Sequence, residues 1–111
     1  MNKPNDKIGI NEIMKRAQEM QKKLQDIQKQ VSEMEIIGKS GGGLVTIKMS
    51  GNHRVPVANG VILDPNLLKE EKGVMEDLIA AAINDAVDKI ERQLSDKMGG
   101  ISGMKLPDGL G

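Results

Sequence analysis

Four short stretches hold the residue types from which catalytic or ligand-binding sites are usually built. Gly38-Lys39-Ser40 has the ending of a phosphate-binding loop, but that loop needs a glycine five positions earlier and a strand before it. Position 33 is Glu33, inside a helical pattern, so the motif is rejected. Gly41-Gly42-Gly43 offers backbone N–H groups to an anion, yet a hairpin turn explains three glycines more simply. His53 is the single histidine. A catalytic base needs a nucleophile and an orienting group, and a histidine in a Gly-Asn-His turn reads as a solvated loop residue. Asp64 stands directly before Pro65, where a helix cap is the better explanation. With no Cys, one His and no carboxylate cluster away from helix faces, metal and acid/base sites lack material. We expect no enzyme, no cofactor, no metal and no small-molecule substrate.

Phosphate recognition is the remaining chemistry. Lys15, Arg16, Lys22 and Lys23 cluster on a first helical stretch, and Lys89, Arg92 and Lys97 on a second. These seven are the DNA-binding candidates. Single-strand and RNA modules stack bases on aromatic side chains, and this chain has no Phe, Tyr or Trp. That points to double-stranded DNA held by phosphate contacts. The 16 basic and 16 acidic residues cancel, so any grip must come from local clustering. A competing reading pairs Glu12 with Arg16, Glu19 with Lys23, Asp85 with Lys89 and Asp88 with Arg92 as ordinary i,i+4 helix pairs.

The first stretch is organised as a heptad helix. Ile10, Ile13, Ala17, Met20, Leu24, Ile27, Val31 and Met34 follow one another at gaps of three and four, the a/d pattern of a coiled-coil seam. Asn11 is the expected N-cap and the helix should end near Met34 or Glu35. A lone helix with so narrow a seam is marginal in water, so a helix partner is expected, within the chain or from a second copy.

From Ile36 the period changes to two. Val45, Ile47 and Met49 alternate with Leu44, Thr46 and Lys48, as in a half-buried strand. Ile36 and Ile37 suggest a strand before it, turning through the glycines. Val55, Val57, Val61 and Leu63 suggest a third strand, edge or bulged because Pro56 cannot donate to a ladder. Asp64-Pro65 then starts a short helical piece over Asn66–Glu71, with Gly73 loosening the join to a long helix. Val74, Leu78, Ile79, Ala82, Ile83, Ala86, Ile90 and Leu94 give that helix a broad apolar face, with Gly99-Gly100 as its stop. The Leu78–Ile83 turn, apolar on all sides, should be sandwiched between sheet and partner.

A chain of 111 residues is one domain. We place it at 9–99, with flexible tails over 1–8 and 100–111. Its core is aliphatic and thin, without the aromatic rings that carry the largest burials, and self-association is the natural remedy. The methionines, Met14, Met20, Met34, Met49 and Met75 among them, read as fillers of irregular gaps. The polar N-terminus and the absence of any apolar run near 20 residues point to a soluble intracellular protein without a membrane partner.

Taken together the motifs resemble the YbaB/EbfC family of bacterial nucleoid-associated proteins. The resemblance is carried by Ile13-Met14-Lys15-Arg16-Ala17-Gln18-Glu19-Met20-Gln21-Lys22-Lys23-Leu24, then by Gly38-Lys39-Ser40-Gly41-Gly42-Gly43-Leu44-Val45 and Ser50-Gly51-Asn52-His53. It continues through Asp64-Pro65-Asn66-Leu67-Leu68 and Glu76-Asp77-Leu78-Ile79-Ala80-Ala81-Ala82-Ile83-Asn84-Asp85-Ala86 to Gly103-Met104-Lys105-Leu106-Pro107-Asp108-Gly109. The chain departs from the family at Val55-Pro56-Val57-Ala58-Asn59-Gly60, where the family often carries charged side chains, so that strand should serve packing more than DNA contact.

The resemblance implies an α+β protomer with a long N-terminal helix, a three-stranded antiparallel meander and a long C-terminal helix, in an intimate tweezers-shaped homodimer. It implies double-stranded DNA as partner with little sequence preference, a location in the cytoplasm on the nucleoid, and an effect on DNA conformation and gene expression. Ile13, Ala17, Met20, Leu24, Ile27 and Val31, with Leu78, Ile79, Ala82, Ile83 and Ala86, form the expected dimer and core seam. The alternative is a protein–protein interaction module that docks a partner on the heptad helix.

Overall fold

The computed structural model describes the backbone of residues 3–102 and the side-chain surroundings of residues 9–99. Helix α1 spans Lys3–Ser32, strands β1, β2 and β3 span Glu35–Ser40, Val45–Ser50 and Val61–Leu63, and helix α2 spans Lys72–Ser102. The expected α+β order of helix, three strands and helix is present. The strands lie in the order β1-β2-β3, both pairings antiparallel.

The period-two pattern of β2 explains which face of the sheet is covered. Val45, Ile47 and Met49 are buried, while Thr46, Lys48 and Ser50 between them are half-buried on the other face. Both helices lie on the first face. Val31 from α1, Ile36 from β1, Leu67 from the segment before α2, and Ala82, Ala86 and Ile90 from α2 complete the core. Burying an aliphatic side chain of this kind stabilises by roughly 1.5–3 kcal/mol, and the alanines bring α2 close to the sheet. Gly38 makes that approach possible: a Cβ there would stand 2.6 Å from Ala86 N and 2.7 Å from its Cβ. Gly51 plays the same part under α1. A Cβ on it would overlap the Val31 carbonyl, while its N–H donates to Met34 O at 3.0 Å.

The turns follow the local chemistry. Gly41–Gly43 form a short 3-10 turn between β1 and β2, in which Gly42 takes a φ of 67° that other residues rarely adopt. Asp64 caps the 3-10 segment Pro65–Lys69, its side chain accepting from Asn66 N at 2.8 Å, as the Asp-Pro pair predicts.

Several boundaries differ from the sequence reading. Helix α1 is already running at Lys3, ahead of the cap expected at Asn11, because Pro4 falls in the first turn, where a missing N–H costs nothing. The third strand is only Val61–Leu63. Residues 51–60 form a loop, with His53 and Asn59 at positive φ and Pro56 unable to donate. Val55 packs against the core while Val57 is wholly exposed. Helix α2 passes through Gly99 and Gly100 to Ser102, since nothing crowds Gly99 and its neighbours supply the helical bonds. The Gly103–Gly109 segment lies outside the described residues.

The seam is divided. Val31 is buried and Leu24 and Ile27 are half-buried, but Ala17 is exposed and Ile13 and Met20 are 66% and 44% exposed. Only the C-terminal third of α1 therefore packs within the chain. On α2, Ala82 and Ala86 are buried, Leu78 and Ile79 half-buried and Ile83 exposed. The N-terminal half of α1 projects from the sheet, and the chain measures 78 × 32 × 16 Å with a radius of gyration of 21.4 Å, against about 13 Å for a compact domain of this size.

Candidate nucleic-acid interface

The projecting half of α1 carries Lys15, Arg16, Lys22 and Lys23, all exposed. Among the described residues only two ion pairs lie within 4 Å, Lys72–Glu76 and Lys89–Asp85. The expected pairs Glu12–Arg16, Glu19–Lys23 and Asp88–Arg92 are not formed. Side-chain freedom on a solvated helix outweighs the few tenths of a kcal/mol that such a pair supplies. The four α1 cations are consequently available to an external anion.

The α2 cations are not equivalent to them. Lys89 is committed to the fold: its Nζ lies 2.9 Å from Asp85 Oδ2 and donates to Ile37 O at 2.9 Å. Asp85 in turn accepts from Lys39 N–H at 2.9 Å. That backbone bond first, then the bond from Lys89, holds the Asp85 carboxyl below its ordinary pKa of 3.8. Arg92 is exposed and lines a shallow groove of about 410 Å³ with Glu35, Ile37, Lys89 and Asp96. Lys97 is half-buried. Arg92 remains a candidate contact, whereas Lys89 holds β1 to α2.

The structure adds three cations that a search for helical stripes passes over. Lys39 and Lys48 lie on the sheet face opposite the helices, and Arg54 is exposed in the loop after β2. Their signal is an absence: no Asp or Glu occurs between Glu35 and Asp64. Among the described residues no group of three or more His, Cys, Asp or Glu could hold a metal ion, and no helix is long and apolar enough to cross a membrane.

A long cation-bearing helix projecting from a small helix-backed sheet defines a binding module rather than a cleft. Comparison with known proteins assigns it: residues 6–105 match the YbaB/EbfC DNA-binding family, and the chain belongs to that family. Its fold is similar to that in the crystal structure of the uncharacterized protein HP0035 from Helicobacter pylori. The TM-score is 0.65 at 21% identity, covering 82% of this chain and 94% of that one.

Proposed function

We propose that the protein is a bacterial nucleoid-associated homodimer that binds double-stranded DNA with low sequence specificity, changes the conformation of the duplex and so influences gene expression. It acts in the cytoplasm, on the nucleoid. Membership of a DNA-binding family is the observation that carries this reading. The unpaired cations of α1 and the lack of aromatic stacking platforms support a duplex held by its phosphates.

Dimerisation rests on what a single chain leaves uncovered. Val61 is 51% exposed and Leu68 74%, and Ile62, Leu63, Val74 and Ile83 are also exposed. These residues gather on β3, on the segment after it and along α2. Among the described residues no strand neighbours the outer edge of β3, and a free apolar edge invites pairing with another chain. A second copy seated there covers this surface and doubles the cations facing DNA.

The test is a titration of two unrelated labelled duplexes at low salt, with the parent and with Lys15, Arg16, Lys22 and Lys23 changed to Glu. Both duplexes bind the parent with similar affinity, and the charge reversal weakens both while the dimer persists. A second reading, docking of a partner helix, is favoured by the exposed Ile10, Ile13 and Met14 on α1. It predicts that the charge reversal leaves the protein's interactions intact.

A further inference from the structure

All of the chain's acidic residues lie outside the stretch from Ile36 to Leu63. Between Ile36 and Leu63 there are Lys39, Lys48, His53 and Arg54 and no carboxylate, so the rest of the chain holds all 16 acidic residues and 13 of the 16 basic ones. The neutral total conceals an anionic helical part and a cationic sheet. On the helices every basic cluster is interleaved with Asp or Glu. Between Ile36 and Leu63 no carboxylate offsets the positive charge, and Glu35 at the start of β1 is the one acidic residue of the strands.

The fold displays these cations together. Gly38 faces α2, so its neighbour Lys39 points to the open side of the sheet, where successive residues alternate. Lys39 is paired with Thr46, and Lys48 with Ile37. That makes Lys39 and Lys48 diagonal neighbours on one face, about 7–8 Å apart. Ser50 continues the same face, and its Oγ accepts from Arg54 N–H at 3.2 Å while Ser50 N donates to Arg54 O at 2.8 Å. These bonds tie the turn bearing His53 and Arg54 to the end of the face. Among the described residues the one carboxylate on this side is Glu35, the first residue of β1, which makes no ion pair within 4 Å. Thr46 and Ser50 add hydroxyl groups.

We propose that the open sheet face and the turn after β2, through Lys39, Lys48 and Arg54, form a phosphate-binding surface for duplex DNA, separate from the stripe on α1. The inference rests on the DNA-binding reading above and places a new surface within it. A polyanion is the occupant that this charge distribution fits: three cations and two hydroxyls on one platform, with Glu35 at its end and the other acidic residues outside the stretch from β1 to β3. Positive side chains positioned by a sheet contact the phosphate backbone without reading base sequence, in keeping with low specificity.

The test is a fluorescence-anisotropy titration of a labelled duplex over a range of salt concentrations. It compares the full-length parent, the triple variant K39Q/K48Q/R54Q, and the charge-conserving variant K39R/K48R/R54K. Each phosphate contact contributes about 0.9 to the log–log salt slope. The triple variant is expected to bind at least tenfold more weakly at low salt, with a slope flatter by about 1.8 or more, the equivalent of two contacts. The charge-conserving variant keeps the parental affinity and slope. Circular dichroism and sedimentation establish that both variants are folded and of parental mass. A folded triple variant with parental affinity and slope overturns the proposal, leaving the DNA-binding reading intact and the face to an acidic protein. A changed mass assigns the face to a second copy and overturns it too, as does equal loss in both variants. A parent that binds no duplex at any salt removes the DNA-binding reading itself.

Discussion

Lys89 Nζ lies 2.9 Å from Asp85 Oδ2, and between them these two side chains close the outer edge of β1. Asp85 accepts from the Lys39 N–H and Lys89 donates to the Ile37 carbonyl, each at 2.9 Å. An edge strand with unmet backbone groups is a template for unwanted pairing. Here α2 occupies those groups on one edge of the sheet, while the edge at β3 stays open. The two edges of the sheet are therefore unlike.

Replacing Asp85 by Ala removes its bond from the Lys39 N–H and its ion pair with Lys89. The pair is about one-third exposed, so solvent screening limits the effect, and a loss of about 1 kcal/mol is expected. Urea denaturation measures it, and an unchanged midpoint contradicts the clamp. The freed β1 edge is also expected to raise self-association in concentrated solution.

Asp85 also makes stability depend on pH. Its folded pKa lies below its ordinary 3.8, so its contribution is fully present above that value and is lost as pH falls through the lower folded one. Below 3.8 the unfolded chain takes up this proton first, which drains stability as acid is added. Urea midpoints for the parent should therefore fall more steeply below pH 4 than those of D85N. Parallel acid limbs for the two proteins would count against the assignment.

Gly38 and Gly99 give a matched pair of glycine substitutions with opposite signs. G38A drives a methyl group into the backbone of α2 at Ala82 and Ala86, and a destabilisation of about 3 kcal/mol is expected. G99A meets nothing within 4 Å in a helical segment and should stabilise by about 0.5 kcal/mol. Thermal unfolding of the two variants reads both signs.

A charge on the open edge tests the dimer. Val61 is half exposed in the single chain, so V61D leaves the protomer's own core largely unchanged. If β3 meets β3 of a second copy, two carboxylates are forced together in a desolvated contact. Sedimentation is expected to show the mass falling from that of two chains to that of one. A variant of unchanged mass places the interface elsewhere.

The order of elements was legible because the signals are local and strong: a seven-residue beat on α1, strict alternation over Val45–Met49, and Asp64-Pro65 as a helix start. Val55 and Val57 have strand-forming side chains and suggest a longer third strand than the Val61–Leu63 that forms. The backbone there is set instead by Pro56, by Gly60 packed under it, and by positive φ at His53 and Asn59. The ends of both helices ran past Asn11 and Gly99 because helix continuation depends on what crowds each turn, which pattern alone does not show. The candidate interface was legible only in part. Lys89 looks like any surface lysine in sequence, and its role depends on Ile37, fifty-two positions away. Lys39 and Lys48 become neighbours only once β1 and β2 are in register.

The central claim, a two-chain clamp on duplex phosphate, is tested most directly by the salt dependence of DNA binding. With about four to six phosphate contacts in a dimer, the logarithm of the association constant should fall against the logarithm of salt concentration with a slope near −4 to −5. Micromolar protein that leaves a duplex unbound in the most dilute buffer, or binds it with a slope near zero, contradicts the account.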